Sequence, residues 1–434
     1  MADVVDVVVV GAGLAGLSAA WNLEQAGLTT LTVEASDEVG GHTRSRVVDG
    51  EVVELGAENF GPHHHHVRGL ARQLGLTVRT SAFHGVAPVM WRTGGGARVS
   101  RVPGIRPSEA PAALRALREL KRMAGGVPPV APWTAPRAAE LDEQSWSSWL
   151  DRMHVHGHAR GLLDSGFASF STVPADRLSL LQVAWWVHRA GGILPTLRDG
   201  LSLQIAEGTQ QLSIRLRERL RGQVVLGTPV NRVVQDGEKV AVHADPHQCW
   251  EARAAVVAVP VSKAGSLEFD PPLDPQQQAL YGALRFGRAT KLIAVSQEPV
   301  EVKHRVLIGG APLPAAWLRG RRVATGFATG DSADLDVQVL FEDLADVFEL
   351  KRPRLYTEAK RWAADPLSEG SYLAFAPGQL TAHGPHLKRP HGLVHFAGAD
   401  RSSWHPDLEG AIENGYQVAD ALVRRLAKSA QPVI

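Results

Sequence analysis

The chain opens on an apolar run, residues 4–10, in which valine fills six of seven positions. A β-branched run without polar alternation fits a strand buried on both faces, as in the centre of a parallel sheet. A helical pattern follows over about residues 14–26 and stops at Gly27, the residue type favoured just past a helix C-terminus. A second apolar strand at 30–33 then completes a βαβ unit that closes on Glu34. Further along, residues 112–123, 141–153 and 179–190 carry apolar faces at helical spacing, and another helix starts near 207–212. Short strands at 224–226, 230–235 and 239–243 read as a meander, and 254–259 is again a buried strand. Near the end, a strand at 394–397 is broken by Gly398, and a helix runs from 409 to about 426. Residues 91–140 are rich in Pro, Gly, Ala and Arg and have the least regular pattern.

The glycines give this pattern its first chemistry. Gly11, Gly13 and Gly16 form G-x-G-x-x-G between the first strand and first helix, and Glu34 lies 18 residues beyond Gly16 at a strand end. Gly11 permits the turn, Gly13 admits a pyrophosphate to the backbone, Gly16 lets helix and strand approach, and the helix N-terminus faces negative charge. An acid at position 34 accepts hydrogen bonds from a ribose and disfavours a 2′-phosphate, so the fingerprint points to the adenosine half of NAD or FAD.

Composition narrows the class. With 46 Lys+Arg against 45 Asp+Glu the formal charge is +1, and 44% of residues are hydrophobic. That balance fits an ordinary globular protein and not a nucleic-acid binder or a disordered chain. The single cysteine, Cys249, forbids an intrachain disulfide and a multi-cysteine metal site. No basic leader precedes the first strand and no apolar run reaches about 18 residues, so a cytoplasmic protein without a membrane span is expected. A homodimer is left open.

A second glycine pair follows the acid, in Glu34-Ala35-Ser36-Asp37-Glu38-Val39-Gly40-Gly41-His42-Thr43-Arg44. It resembles the E-A-x-x-x-x-G-G-R motif of FAD-dependent amine oxidases, with His42 at the arginine position and Arg44 two residues on as a substitute cation. Similar blocks continue in order: Leu55-Gly56-Ala57-Glu58-Asn59-Phe60-Gly61-Pro62, Trp133-Thr134-Ala135-Pro136, Pro229-Val230, Ala258-Val259-Pro260, Phe269-Asp270-Pro271-Pro272-Leu273, Trp362 with Gly370-Ser371-Tyr372, Phe396-Ala397-Gly398-Ala399-Asp400 and Leu408-Glu409-Gly410-Ala411. Over nearly its whole length the chain is similar to the flavin-containing monoamine oxidase family.

The resemblance implies an α/β fold, α+β overall, in which a Rossmann-like FAD domain (1–80, 206–258 and 366–434) is interleaved with a substrate domain of sheet and helices (81–205 and 259–365). It implies oxidation of a small amine at its C–N bond, with oxygen as acceptor. Gly11, Gly13, Gly16, Glu34, Ala35, Gly40, Gly41, His42, Arg44, Gly56, Ala57, Glu58, Val230, Trp362, Gly398, Asp400, Leu408, Glu409 and Ala411 are the expected FAD contacts, Asp400 through the ribityl hydroxyls and the closing helix through its N–H groups. Ser371 stands where some members carry the cysteine that tethers the flavin, so FAD is expected to be non-covalent. Lys291, in Gly287-Arg288-Ala289-Thr290-Lys291, matches the lysine that reaches the flavin through a water and favours an oxidase.

Of the two aromatics that flank the amine in the family, Tyr372 is kept and the other falls on Asp407. A carboxylate there is either a helix cap or a substrate partner, and Trp404 and His405 are candidates to rebuild the wall. Asn59, His63 and Trp185 complete the expected substrate residues. Adjacent tryptophans on a helix point about 100° apart, so at most one of Trp185 and Trp186 faces a cavity. His63–His66 fan around a helix start, so no metal is expected of them. Three alternatives stay open: an L-amino-acid oxidase, against which Asn59 counts because such enzymes carry arginine there; a flavin desaturase; and a non-catalytic FAD-binding protein.

Overall fold

The computed structural model describes residues 5–429 apart from 86, 94, 95, 198, 246, 247, 352 and 404. The valine run becomes the strand Val5–Val10, paired in parallel with Thr30–Val33 on one side and with Gln248–Val257 on the other. Val7, Val8 and Val9 are fully buried because both faces of this strand are covered. Val7 and Val9 join a core with the first helix (Leu14–Gln25) and the closing helix (Leu408–Ser429). Val8 and Val10 join a second core shared with the helical region around Trp146, Phe167 and Trp186. At roughly 1.5–3 kcal/mol per buried valine, this strand anchors the sheet to both layers.

The eight-stranded sheet runs Val224–Val225, Thr30–Val33, Val5–Val10, Gln248–Val257, Val240–Asp245, Arg232–Gln235, Glu268–Asp270. The far end of Gln248–Val257 also takes Val394–Phe396 in parallel. The last strand of the order corrects one expectation. Glu268–Asp270 lies in the segment assigned to the substrate domain, yet it pairs with Arg232–Gln235 of the FAD sheet, with Phe269 buried against Phe396. Similarly, Leu203–Ile205, at the end of segment 81–205, pairs with Asn59–Phe60 and Val78–Thr80. The helix expected over 141–153 is two helices, Ala138–Asp142 and Trp146–Arg152. The break lies at Ser145, whose hydroxyl caps the second helix by accepting from the Ser148 N–H.

A seven-stranded sheet, almost entirely antiparallel, forms the second layer. Its order is Tyr356–Arg361, Ala289–Val295, Val323–Thr329, Ala315–Arg319, Val306–Gly309, Val89–Thr93, Gly96–Ser100. Its two-residue side-chain alternation decides what reaches the site. Leu292 and Ala294, with Ala316 and Leu318, pack under the helix Val337–Phe348. Ile293 and Val295 face the other way, onto Val53 and Leu55 at the end of Glu51–Glu54, a strand that pairs with Ser45–Val48 in a two-stranded sheet of its own. Lys291, Trp317 and Arg319 share that second face. Among the described residues no helix is long and apolar enough to cross a membrane.

Candidate active site

Two glycine turns press together at the C-terminal end of the first strand. Gly13 and Gly40 pair in a short bridge, and the Gly40 N–H donates to the Ala12 carbonyl at 3.0 Å. A Cβ on Gly16 would lie 2.0 Å from the Gly11 carbonyl oxygen, and one on Gly41 would lie 3.3 Å from the Gly13 Cα. The first helix starts after Gly13 with no side-chain cap and no acid in its first turn, so its leading N–H groups point into the cradle with their positive end outward. Glu34 closes the cradle: one oxygen accepts the Ala12 N–H and the other the Ser36 N–H. Burial pushes its carboxyl up, against the opposing effect of those donors.

Beyond the cradle lies a buried charge cluster. Lys291 is 3% exposed, and its Nζ donates to the Gly56 carbonyl (2.8 Å) and to Glu58 Oε2 (3.0 Å) while lying 5.3 Å from the centre of the Trp317 ring. Trp317 Nε1–H donates to the same Glu58 oxygen (3.1 Å), and Arg319 reaches the other at 3.4 Å. Burial alone would raise the Glu58 carboxyl, but Lys291 and then Arg319 outweigh it, so the net shift is down. A strand-end lysine in solvent is therefore excluded. Trp362, buried on the near side of Gly56, donates from Nε1 to the Leu55 carbonyl at 2.9 Å and stacks within 4.8 Å of His42.

The third group surrounds Tyr372. Its ring faces His405 (5.6 Å between centres), and His405 also touches Phe170 (3.9 Å) and Trp186 (4.7 Å). Burial, with the negative charge of Asp407 added, pushes the Tyr372 phenol up to about 12, so it remains a neutral donor. Asp407 caps the closing helix, its Oδ1 accepting the Gly410 N–H at 3.1 Å, while Oδ2 faces His64 Nε2 (3.7 Å) and His405 Nδ1 (3.9 Å). Glu409 fixes this arrangement by accepting from the N–H groups of His66 and Val67 (3.0 and 2.9 Å), which caps the helix His65–Gln73.

The family profile described as flavin containing amine oxidoreductase matches residues 14–423. The chain belongs to this family. It is accordingly an FAD-dependent oxidoreductase, and its reaction class is the oxidation of amines. Amine oxidase [flavin-containing] B of Canis lupus familiaris is 30% identical, over 98% of this chain and 87% of that one. The solved cyclohexylamine oxidase from Brevibacterium oxydans IH-35A is 25% identical with a TM-score of 0.89, covering 98% of this chain and 99% of that one. A putrescine oxidase structure bound to putrescine gives 25% identity and a TM-score of 0.89, over 97% and 99%.

The cradle fits the FAD of this family. Side chains are absent at positions 11, 13, 16, 40 and 41, where a Cβ would in several cases strike backbone, and each Glu34 oxygen keeps a lone pair for a ribose hydroxyl. Ala35 follows Glu34 directly, and Val230 lies partly buried between the strands Val224–Val225 and Arg232–Gln235. Gly56, Ala57 and Trp362 line the stretch next to Lys291, the Ala57 N–H donating to the His42 carbonyl at 2.8 Å.

Several of the expected contacts have partners within the protein. His42 Nε2 bonds the Gly370 carbonyl (2.9 Å), and burial lowers its pKa, so the ring is a neutral wedge under Trp362 and brings no charge to the phosphates. Arg44 lies 3.2 Å from Glu38, a carboxylate it shares with Arg46 at 2.9 Å, so the two guanidiniums together keep a net positive charge. Glu58 is the counterion of Lys291, and Glu409 is a helix cap. Asp400 accepts the Val261 N–H (2.7 Å) and an N–H of Arg401 (3.0 Å), leaving only its remaining lone pairs for a ribityl hydroxyl. Gly410 and Ala411 N–H groups are taken by Asp407, so the helix N-terminus is less free than its sequence suggests. Leu408 and Ala411 pack in the core, and Gly398 donates its N–H to Asn414 Oδ1.

Trp185 turns away, its Nε1–H bound to the Pro129 carbonyl at 2.8 Å, and Trp186 takes the place expected of it. His64, not His63, meets Asp407; His63 packs edge-on against the His64 ring. Asn59 sits on a short strand with its Oδ1 buried and without a hydrogen-bond partner. Trp404 lies outside the described residues. Sequence reasoning missed Phe170, Trp317, Arg319 and Arg401, the last fully buried against Asp400. A Trp and an Arg two positions apart on one strand, hence on one face, were the available signal for the Glu58 cluster.

Proposed function

We propose that the protein oxidises small amines with non-covalently held FAD and molecular oxygen. FAD, held by the Gly11–Gly16 and Gly40–Gly41 cradle and Glu34, would supply the acceptor for the hydride equivalent lost from the carbon beside the nitrogen, with oxygen as the final electron acceptor. Lys291 is the observation that carries this reading. Its buried Nζ, held by Gly56 and Glu58, places a cation beside the Gly56–Glu58 segment, where it would stabilise negative charge as oxygen is reduced. Tyr372, Trp186 and Phe170 pack around His405 as an aromatic cluster against which the amine would be oriented.

Non-covalent attachment is supported by the cysteine count. Cys249 is exposed in the meander, while the Ser371 hydroxyl is occupied with Thr172 and the Gly287 carbonyl. We assign the FAD domain to segments 1–80, 206–258 and 366–434, with Glu268–Asp270 added, and the substrate domain to the remainder, with Tyr372 and His405 of the first and Phe170 and Trp186 of the second meeting the amine, and we place the protein in the cytoplasm. Anaerobic mixing with a panel of amines should bleach the flavin absorbance, and oxygen should then restore it. Failure of every amine to bleach it would defeat the proposal. Acid precipitation should release the flavin into the supernatant.

A further inference from the structure

A cleft of about 680 Å³ opens in the helical region, and none of the residues assigned above to flavin or amine lines it. Three helices form it. Along Ala110–Gly125, Arg115, Arg118 and Arg122 follow at spacings of three and four, so they share one face, with Glu119 among them. Arg137, just before Ala138–Asp142, and Arg152, the last residue of Trp146–Arg152, bring two more guanidiniums to the same cleft. The charges lie close enough to act on one another. Arg122 chiefly, and Arg137 after it, hold the Glu119 carboxyl below the usual range, and Arg137 with Arg152 do the same for Glu140. Met123, Leu141 and Trp149, all buried, give the cleft an apolar floor.

Two carboxylates take up two of the five guanidiniums. Glu119 accepts from Arg122 Nε at 2.8 Å, and Glu140 from Arg137 Nε at 2.7 Å. Among the described residues, the guanidiniums of Arg115, Arg118 and Arg152 have no hydrogen bond or ion pair. The cleft therefore holds three more cations than carboxylates. Arginines three and four apart repel along Ala110–Gly125 and disfavour the helix, a cost that a bound anion removes. We propose that this cleft binds an organic phosphate, a phosphate monoester on an apolar body, with the phosphate on the unpaired arginines and the body on Leu141 and Trp149. A monoester carries roughly −1.5 to −2 at pH 7 and three acceptor oxygens that guanidiniums can bind in pairs, whereas one carboxylate would leave most of the excess unmatched. The volume is that of a small-molecule site, which spans roughly 300–1,000 Å³. A second copy of the chain, docked about a two-fold axis, would bring the same cations to the same face and is disfavoured as the occupant.

The test titrates phenyl phosphate, inorganic phosphate and benzoate into the FAD-loaded protein by calorimetry. Phenyl phosphate should bind once per chain with a Kd below about 1 mM at low salt. It should bind about tenfold tighter than inorganic phosphate, which lacks the apolar body, and than benzoate, which lacks the second charge. Raising the salt from about 20 to about 200 mM should weaken it severalfold. Arg118→Gln and Arg152→Gln should each weaken phenyl phosphate about fivefold or more. The double variant should lose saturable binding while its flavin is bleached by amines as in the natural protein. Arg217→Gln, an exposed arginine on the helix Gln211–Arg219, should change nothing. Absence of saturable binding, an equal loss in Arg217→Gln, or undiminished binding in the folded double variant overturns the site. Phosphatidylcholine vesicles with and without phosphatidic acid separate the two sources of such a phosphate. Retention on phosphatidic acid that phenyl phosphate releases assigns it to a lipid headgroup, and binding of phenyl phosphate without retention assigns it to a free molecule.

Discussion

Glu58 and Asp407 are both carboxylates at the site, in opposite surroundings. Glu58 is 2% exposed and enclosed by Lys291, Arg319 and the Trp317 N–H, so its charge is already matched by cations of the protein. Asp407 is 20% exposed and faced by two neutral imidazoles, so its charge is not matched by His64 or His405. The first therefore holds the fold and aims Lys291, and the second caps the closing helix beside two neutral rings.

The contrast breaks most visibly at Glu58. Glu58→Ala leaves two buried cations without their carboxylate and should cost about 3–5 kcal/mol, read as a fall in the denaturant midpoint. A loss below about 1 kcal/mol would mean that water reaches the cluster. Lys291→Met should slow flavin reoxidation by oxygen about tenfold or more, equivalent to roughly 1.4 kcal/mol of barrier, with reduction by amine little changed in stopped-flow.

Acid titration separates the regions by window. His405 has a folded pKa below the ordinary value of 6.5, so its contribution to stability is complete above that value and is lost as pH falls toward about 3. Glu58 is also depressed, but from 4.5, so its contribution is lost only at lower pH. Between pH 6.5 and 4.5 the stability of the natural protein should fall, and His405→Phe should flatten that slope by about 1.4 kcal/mol per pH unit at the acid end of the window. An unchanged slope would place the histidine titration elsewhere. The smallest effect belongs to Trp185→Phe, which loses one hydrogen bond to Pro129: about 1 kcal/mol of stability and no change in kcat/KM. Trp186→Phe should raise KM for amines.

Much of the glycine cradle was legible because its signals are local. A strand, three glycines, a helix and an acid, all within residues 4–34, specify a phosphate cradle through backbone geometry that a few neighbours determine. Lys291 was legible for the same reason, lying in a short block that opens a strand. Its partner was not, since Glu58, Trp317 and Arg319 lie far apart in the chain and meet only when the alternating face of one sheet packs on the other layer. The choice of Trp186 over Trp185 and of His64 over His63 likewise needed the rotation of each helix, which depends on what packs against it.

By itself, then, the sequence determined the order of elements, the cradle, a serine at position 371 and a carboxylate at Asp407. Tertiary structure alone decided which charges are spent and which remain for a ligand. Burial and long-range pairing set the worth of a charge, and neither can be read from neighbours along the chain.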